Sequence, residues 1–94
     1  MNESDHAGTD EDSRVVSLCQ KGDLSAFEEL VRKYEKRSLN TAYRMIGNYE
    51  EACDVVQDAF VSAYKNIKSF KGTSKFSTWL TAIVLIFHET VSSN

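Results

Sequence analysis

Apolar residues recur at helical spacing along most of the chain, and the clearest stripe follows Asn48. Asn48 is a favourable helix cap, and Glu50 and Glu51 suit the first turn because the positive end of the helix dipole stabilises carboxylates. The pattern predicts one long helix with a continuous apolar face that packs in the core. The positions of this face are Ala52, Val55, Val56, Ala59, Phe60, Ala63, Tyr64 and Ile67.

Two helices are predicted ahead of this one. The first is short and covers about residues 13–21 before Gly22, and the second is longer and ends at Gly47. The candidate caps are Asp12 or Ser13 for the first helix and Asp23 or Ser25 for the second. Ser25 and Glu28 also have the spacing of a capping box. The apolar stripe of the second helix shifts by one residue between Tyr34 and Leu39. Its positions are Phe27, Leu30, Val31, Tyr34, Leu39, Ala42, Tyr43 and Ile46.

A fourth helix is predicted from about Phe76 onward, with Thr73, or Ser74 together with Ser77, as candidate caps. The run of residues 82–87 is rich in branched side chains and, by propensity alone, also suits a strand. The helix is preferred because a single strand in an otherwise helical chain would have no partner for its backbone groups. The apolar positions on one face of this helix are Trp79, Leu80, Ile83 and Phe87.

The composition indicates an all-α fold, a compact domain of three to four helices. The 94 residues have room for one modest core, and the chain has no proline and only four glycines, which favours helices joined by short turns. The two cysteines, Cys19 and Cys53, are expected to be free. Neither they nor His6 and His88 show the spacing of a metal site or of a nucleophile with its base. We therefore expect no cofactor, no metal and no enzyme activity.

The charge is divided unevenly along the chain. Residues 1–13 carry five carboxylates and no Lys or Arg, whereas residues 14–94 carry 11 basic and 9 acidic side chains. The first segment has too few apolar residues to bury itself and is predicted to be a disordered acidic tail ahead of a folded domain. No apolar stretch follows a basic start, and the longest apolar run, residues 82–87, is too short to cross a bilayer. A cytoplasmic protein that does not bind membranes is expected.

One part of the chain excludes carboxylates altogether. No Asp or Glu lies between Ala59 and His88, and within this stretch residues 65–79 form what we name the basic segment. Cations interleaved with aromatic rings are typical of sites for single-stranded nucleic acid, where lysines meet phosphates and rings stack on bases. The alternative is a solvated basic loop whose aromatic residues close the end of the core. The residues concerned are Lys65, Lys68, Lys71 and Lys75, with Tyr64, Phe70, Phe76 and Trp79.

Three motifs occur in order along the chain: "GDLSAFEELVRKY", then "DVVQDAFVSAYKNI", then "FKGTSKFSTWL". Their order and spacing resemble the region-two domain of bacterial extracytoplasmic-function sigma factors, over roughly residues 15–82. The resemblance implies a compact helical domain that binds core RNA polymerase and engages the −10 promoter element in transcription initiation. An anti-sigma factor is a further partner that the resemblance suggests.

The resemblance also assigns roles to two sets of residues. In the family, the polar face of the "DVVQDAF" helix docks on the clamp helices of the polymerase's largest subunit, and here that face is Asp54, Gln57, Asp58 and Val61. In the family, the following loop and helix start take the melted non-template strand of the −10 element, with one base turned out into a pocket. The predicted DNA-binding residues here are Lys65, Lys68, Phe70, Lys71, Gly72, Thr73, Ser74, Lys75, Phe76, Ser77 and Trp79.

The residues after Trp79 depart from the family pattern. Family members continue with a polar, basic helix face that includes an asparagine and several arginines, whereas this chain continues with "LTAIVLIFHETVSSN". The second domain of the family, which reads the −35 element, is expected to be absent. Two alternatives follow. One is a polymerase-docking module or decoy that has lost DNA reading, and the other is a helical bundle that self-associates through its apolar fourth helix.

Overall fold

The computed structural model describes residues 11–92, and the regular structure in this range is entirely helical. The elements are α1 (Ser13–Gln20), α2 (Leu24–Ile46), α3 (Tyr49–Asn66), a turn of 3-10 helix (Ile67–Ser69) and α4 (Phe76–Ser92). The predicted all-α fold is confirmed, and residues 82–87 belong to α4 rather than to a strand. None of these helices combines the length and the apolar character that crossing a membrane requires. Residues 1–10 of the predicted acidic tail lie outside the described range.

Local sequence signals set the starts of α2 and α3. The Asp23 carboxylate accepts a hydrogen bond of 2.7 Å from the Ser25 hydroxyl and one of 3.1 Å from the Ala26 backbone N–H. These bonds, the one from Ser25 first, lower the pKa of Asp23. The cap is therefore Asp23, and Ser25 lies inside the helix, so the capping box is not the device that starts α2. The Asn48 side chain caps α3 as predicted, accepting a bond of 3.0 Å from the Glu51 N–H.

The core forms where α2, α3 and α4 pack against one another, with α1 packed on α2. The predicted face of α3 is buried from Ala52 to Ile67 except at Tyr64. The buried residues of α4 are spaced by four, so Val84 joins the core, whereas Ile83 is only partly buried. The buried apolar residues are Val16, Cys19, Ala26, Phe27, Leu30, Tyr34, Ala42, Ala52, Val55, Val56, Ala59, Phe60, Ala63, Ile67, Phe76, Leu80 and Val84.

Two tyrosines that were predicted to be core residues are exposed. Tyr43 lies near the end of α2, is 47% exposed, and packs against Tyr49 with 6.1 Å between ring centroids. Tyr64 is 42% exposed and packs edge-on against Phe27 at 5.0 Å. Both rings cover the margin of the core and keep the rest of the side chain in water, as amphipathic side chains commonly do. The hydrophobic spacing located these residues beside the core but overstated their burial.

The end of the predicted tail needs a correction at Asp12. This residue is only 3% exposed, and its carboxylate accepts hydrogen bonds from the Lys33 ammonium group, at 2.6 Å, and from the Tyr34 hydroxyl. Lys33 also pairs with Glu11 at 2.8 Å. The hydrogen bonds to Asp12 and then to Glu11 raise the pKa of Lys33. Asp12 therefore belongs to the folded domain, because a carboxylate with a cation and a hydroxyl as partners tolerates burial.

Both cysteines are free, as predicted. Cys19 is buried in the core, and desolvation is the main cause that raises the pKa of its thiol. Cys53 is half-buried on α3, and its hydrogen bond with Tyr49 is the main cause of a raised pKa at that phenol.

Candidate nucleic-acid and protein interfaces

The basic segment spans the end of α3, the 3-10 turn, a loop and the first turn of α4. Lys65, Lys68 and Lys71 are exposed, and Lys75 is half-buried. The loop turns at Gly72, whose φ of +75° lies in the left-handed region that residues with a Cβ rarely adopt. The structure therefore presents three of the four predicted lysines to solvent around one tight turn, on a stretch of chain without a carboxylate.

The loop is held in place by Gln20, a residue that the sequence had not singled out. The Gln20 side-chain amide donates hydrogen bonds to the carbonyl oxygens of Ile67, at 2.9 Å, and Phe70, at 2.8 Å. These two bonds tie the end of α1 to both ends of the 3-10 turn. One signal pointed to this position: Gln20 follows the core residue Val16 by four positions, so an amide lies on the buried face of α1.

Four aromatic rings stack beneath the loop. Phe70 and Trp79 lie 5.0 Å apart, and Phe76 contacts both of them at 6.1 Å and 5.8 Å. Tyr34 of α2 closes the other side of Phe76, with 5.8 Å between their centroids. Phe70 and Trp79 are half-buried at the rim of this cluster, whereas Phe76 is fully buried.

The burial of Phe76 corrects one predicted DNA contact. A ring with 0% exposure has no free face for a base, so Phe76 is a core residue that supports Phe70 and Trp79 from below. Phe70 and Trp79 are only partly buried, so part of each side chain is exposed to solvent. The alternative reading of the aromatic residues, as the closure of the core, is therefore correct for Phe76.

A cleft of about 130 Å³ opens between α1 and the loop. Its walls combine a hydroxyl, an amide and an ammonium group with an aromatic ring and the backbone of a glycine. They are formed by Ser13, Val16, Gln20, Phe70, Lys71 and Gly72. Polar groups converging on a partly apolar hollow are the usual composition of a small-ligand site.

The hydroxyl groups of the loop differ in their accessibility. Thr73 is exposed, and Ser74 is half-buried with a weak hydrogen bond of 3.3 Å to the Lys75 carbonyl oxygen. Ser77 is half-buried in the first turn of α4. All three predicted hydroxyl residues therefore lie at or near the same surface as the exposed lysines.

The predicted protein-docking residues form one surface on α3, which we name the docking face: Asp54, Gln57, Asp58 and Val61. All four are exposed, and they lie opposite the buried stripe of the same helix. Within residues 11–92 their side chains make no hydrogen bond or ion pair. Asp54 and Asp58 lie in the first half of α3 and Lys65 lies in its last turn, so this helix is acidic near its beginning and basic at its end.

Known proteins are similar to this chain over most of its length. The family model described as sigma-70 region 2 matches residues 30–85. The chain is 48% identical over 68 residues to the ECF RNA polymerase sigma factor SigW of Bacillus subtilis, covering 72% of this chain and 36% of the relative. It is 40% identical over 76 residues to the RNA polymerase sigma-H factor of Pseudomonas aeruginosa, covering 81% of this chain and 39% of that protein. This chain thus spans well under half the length of these relatives.

A solved structure shows the same fold. It is the NMR structure of the complex formed by an engineered region 2 of sigmaE in complex with GTAAAA. The two chains are 35% identical and superpose with a TM-score of 0.81, over 87% of this chain and 85% of the other. The likeness therefore extends over nearly all of the helices described above.

Proposed function

The chain belongs to the sigma-70 region 2 family, and on this premise we propose that it docks on core RNA polymerase and engages the melted −10 element of promoters. The observation that carries the proposal is the exposed, carboxylate-free basic segment, held rigid by Gln20 beside two accessible aromatic rings. Such a surface fits single-stranded DNA, because phosphates are attracted to the lysines and unstacked bases find ring faces. Homologous sigma factors and the DNA-bound structural neighbour support it.

The docking face is the proposed contact with the polymerase. We assign its partner as the clamp helices of the largest subunit, following the family. Its carboxylates and amide are exposed and form no hydrogen bond or ion pair within residues 11–92, so they are available to a basic or polar helix without breaking an internal bond. Val61, 52% exposed at the C-terminal end of the docking face, adds a small apolar contact to such an interface.

The loop surface is the proposed contact with the non-template strand. Lys65, Lys68 and Lys71 are proposed to bind phosphates, and Phe70 and Trp79 to stack on bases at their outer faces. Thr73, Ser74 and Ser77 supply hydroxyl groups for phosphates or base edges. Phe76 has a supporting role only, since it is buried. The cleft between α1 and the loop is the proposed receptor for a base turned out of the strand.

Docking is tested by capturing purified core polymerase with two variants of the docking face, one charge reversal and one truncation. Asp58→Lys and Gln57→Ala should both weaken capture without lowering the melting temperature, because both residues are exposed and opposite the core. Glu35→Lys, an exposed charge reversal on α2, is the matched control and should bind like the parent. Unchanged capture by Asp58→Lys and Gln57→Ala would contradict the docking assignment.

DNA binding is tested by fluorescence anisotropy with single-stranded −10-like DNA at several salt concentrations. Lys71→Ala should flatten the slope of log affinity against log salt by about 0.7, the change expected when one phosphate contact to a single strand is lost. Phe70→Leu, which keeps apolar volume, should weaken binding and leave the slope nearly unchanged. Lys36→Ala removes one positive charge from α2, outside the loop, and so controls for the loss of charge alone. Binding that is absent at low salt, or unaffected by Lys71→Ala and Phe70→Leu, would remove the loop from the site.

A second candidate is a polymerase-docking module or decoy that has lost DNA reading. It is favoured by the outer side of α4, where Ala82 is exposed and Ile86 is 61% exposed at positions that suit polar contacts in a DNA-reading helix. The two candidates differ in one outcome: the decoy captures polymerase and competes with intact sigma factors, but it does not bind −10 DNA at any salt concentration.

A further inference from the structure

A second cleft, of about 380 Å³, lies between α2 and α4, and no lysine is among the residues that line it. It contains one guanidinium, three hydroxyl groups and two apolar side chains. Its walls are formed by Arg37, Ser77, Thr78, Thr81, Ala82 and Leu85. A small cavity of about 30 Å³ adjoins it and shares several of these residues. The sequence motifs assigned no role to Arg37, Thr78 or Thr81.

The Arg37 side chain packs on an aromatic ring but has no acidic partner among residues 11–92. Its guanidinium lies over the Tyr34 ring, 5.6 Å from the centroid, and Tyr34 is itself held by the buried Asp12. Among residues 11–92, no carboxylate forms an ion pair with Arg37. A guanidinium that is oriented by an aromatic face and left without a counter-ion is suited to bind an anion with two parallel hydrogen bonds.

Both walls of the cleft come from stretches without a carboxylate. Residues 36–48 of the α2 side contain Lys36, Arg37 and Arg44 and no Asp or Glu, and no acidic residue occurs in residues 59–88, which include the α4 side. The nearest acid along α2, Glu35, precedes Arg37 by two positions, and residues two apart on a helix do not share a face. Asp12 is already paired with Lys33. The lining of the cleft therefore carries one positive charge and no negative charge, and the nearest acid on α4, Glu89, lies one turn beyond Leu85.

The hydroxyl groups complete a set of donors for anionic oxygen. The Ser77 and Thr78 hydroxyls make no side-chain hydrogen bond within the described chain, whereas the Thr81 hydroxyl donates to the Ser77 carbonyl oxygen at 2.8 Å. Ser77 and Thr78 can therefore donate to a ligand alongside the two-pronged guanidinium. Ala82 and Leu85 give the cleft an apolar floor against which a sugar can pack. This combination matches a sugar–phosphate unit better than a free carboxylate.

We infer that the cleft between α2 and α4 binds a backbone phosphodiester of nucleic acid, with Arg37 as its principal ligand and Ser77 and Thr78 as hydrogen-bond donors. The inference rests on the proposed function and extends it. Ser77 lies in the first turn of α4, directly after the loop, so a strand that leaves the loop lysines at Lys75 reaches the cleft along α4. The bound strand then contacts α2 as well as the loop.

The test is anisotropy with single-stranded −10-like DNA and the variants Arg37→Gln, Arg37→Lys and Lys36→Gln. Arg37→Gln should weaken binding about tenfold at low salt and flatten the salt slope by about 0.7, because one charged phosphate contact is lost. Arg37→Lys should keep the salt slope while recovering only part of the affinity, since lysine keeps the charge but not the two-pronged geometry. Lys36→Gln removes the neighbouring exposed charge, which does not line the cleft, and should weaken binding much less than Arg37→Gln. A melting curve for each variant excludes unfolding as the cause.

The double variant Ser77→Ala with Thr78→Val gives an independent readout. It should weaken binding and leave the salt slope unchanged, because hydroxyl groups release no counter-ions. If Arg37→Gln binds like the parent while Lys71→Ala binds less tightly, the cleft is not a phosphate site and the proposed function of the loop survives. If the parent binds no DNA at low salt, both proposals are wrong. If Arg37→Gln alters only self-association, seen by light scattering, the cleft serves a second copy of the chain instead.

Discussion

The side-chain amide of Gln20 donates a hydrogen bond of 2.8 Å to the backbone carbonyl oxygen of Phe70, fifty positions later in the chain. The same amide group donates to the Ile67 carbonyl oxygen at 2.9 Å. α1 thus supports the loop from behind, in addition to forming one wall of the cleft beside it. Through this contact the first helix positions the ring of Phe70 and the turn that carries the loop lysines.

Replacing Gln20 tests that contact. Gln20→Ala should destabilise the domain by about 1 kcal/mol, since two partly buried carbonyl oxygens lose a donor. In Gln20→Ala, the amide hydrogens of residues 67–72 should exchange with solvent faster than they do in the parent. This increase should be larger than any increase for the amide hydrogens of α3. Urea unfolding and hydrogen exchange measure the two effects. Gln57→Ala, an exposed glutamine, is the control and should change neither. Equal exchange in parent and Gln20→Ala would show that Gln20 does not hold the loop.

Asp12 is expected to contribute to stability although it precedes the first helix. Asp12→Ala should lower the free energy of unfolding by about 1–3 kcal/mol, because the Tyr34 hydroxyl loses a buried acceptor and Lys33 loses its closer partner. Glu11→Ala removes an exposed pair to the same lysine and should cost at most about 1 kcal/mol. Urea titrations of the two variants make the comparison. Equal effects would mean that the burial of Asp12 adds nothing.

Phe76 is expected to behave as a core residue. Phe76→Ala should destabilise the domain by about 3–5 kcal/mol, the usual cost of deleting a buried aromatic ring. Any loss of DNA binding by this variant should therefore accompany loss of helical signal in circular dichroism. Thr78→Ala, at an exposed position of the same helix turn, should melt like the parent. A Phe76→Ala variant with parental stability and specifically weakened DNA binding would restore Phe76 to the contact surface.

The cap of α2 predicts a dependence on acidic pH. The pKa of Asp23 is lowered in the folded state, by the Ser25 hydroxyl first and the Ala26 N–H next. Its stabilising effect is therefore fully present above the unfolded pKa, near 4, and is lost as the pH falls through the lower folded value. Asp23→Asn keeps a capping oxygen without titrating. Melting curves from pH 5 to pH 2 should show the parent losing more stability than Asp23→Asn. Parallel curves would contradict this role.

Some features of the candidate site could be predicted from the sequence, and others could not. The exposure of Asp54, Gln57 and Asp58 was predictable, because the period of 3.6 residues puts the unbroken apolar stripe of α3 on one side and leaves these residues on another. The loop lysines stood out by charge alone. Phe76 was misplaced because an aromatic residue beside lysines has the same composition in a core closure and in a stacking platform. Gln20 and Arg37 were missed because their roles depend on partners that are distant in sequence.

The sequence by itself determined where the helices lie and two of their ends: Asn48 caps α3, and Gly47, with a φ of +80°, ends α2. For the start of α2 it left Asp23 and Ser25 as alternatives, and the structure decided for Asp23. The sequence also determined which side of α3 is apolar, because these properties depend on residues within one or two turns of each other. The tertiary structure decided that Phe76 is buried while Phe70 and Trp79 remain accessible, that Gln20 holds the loop, and that Arg37 faces α4. Each of these outcomes depends on contacts between helices. Such contacts are selected by packing and by the need of buried polar groups for partners, which neighbouring residues in the chain do not encode.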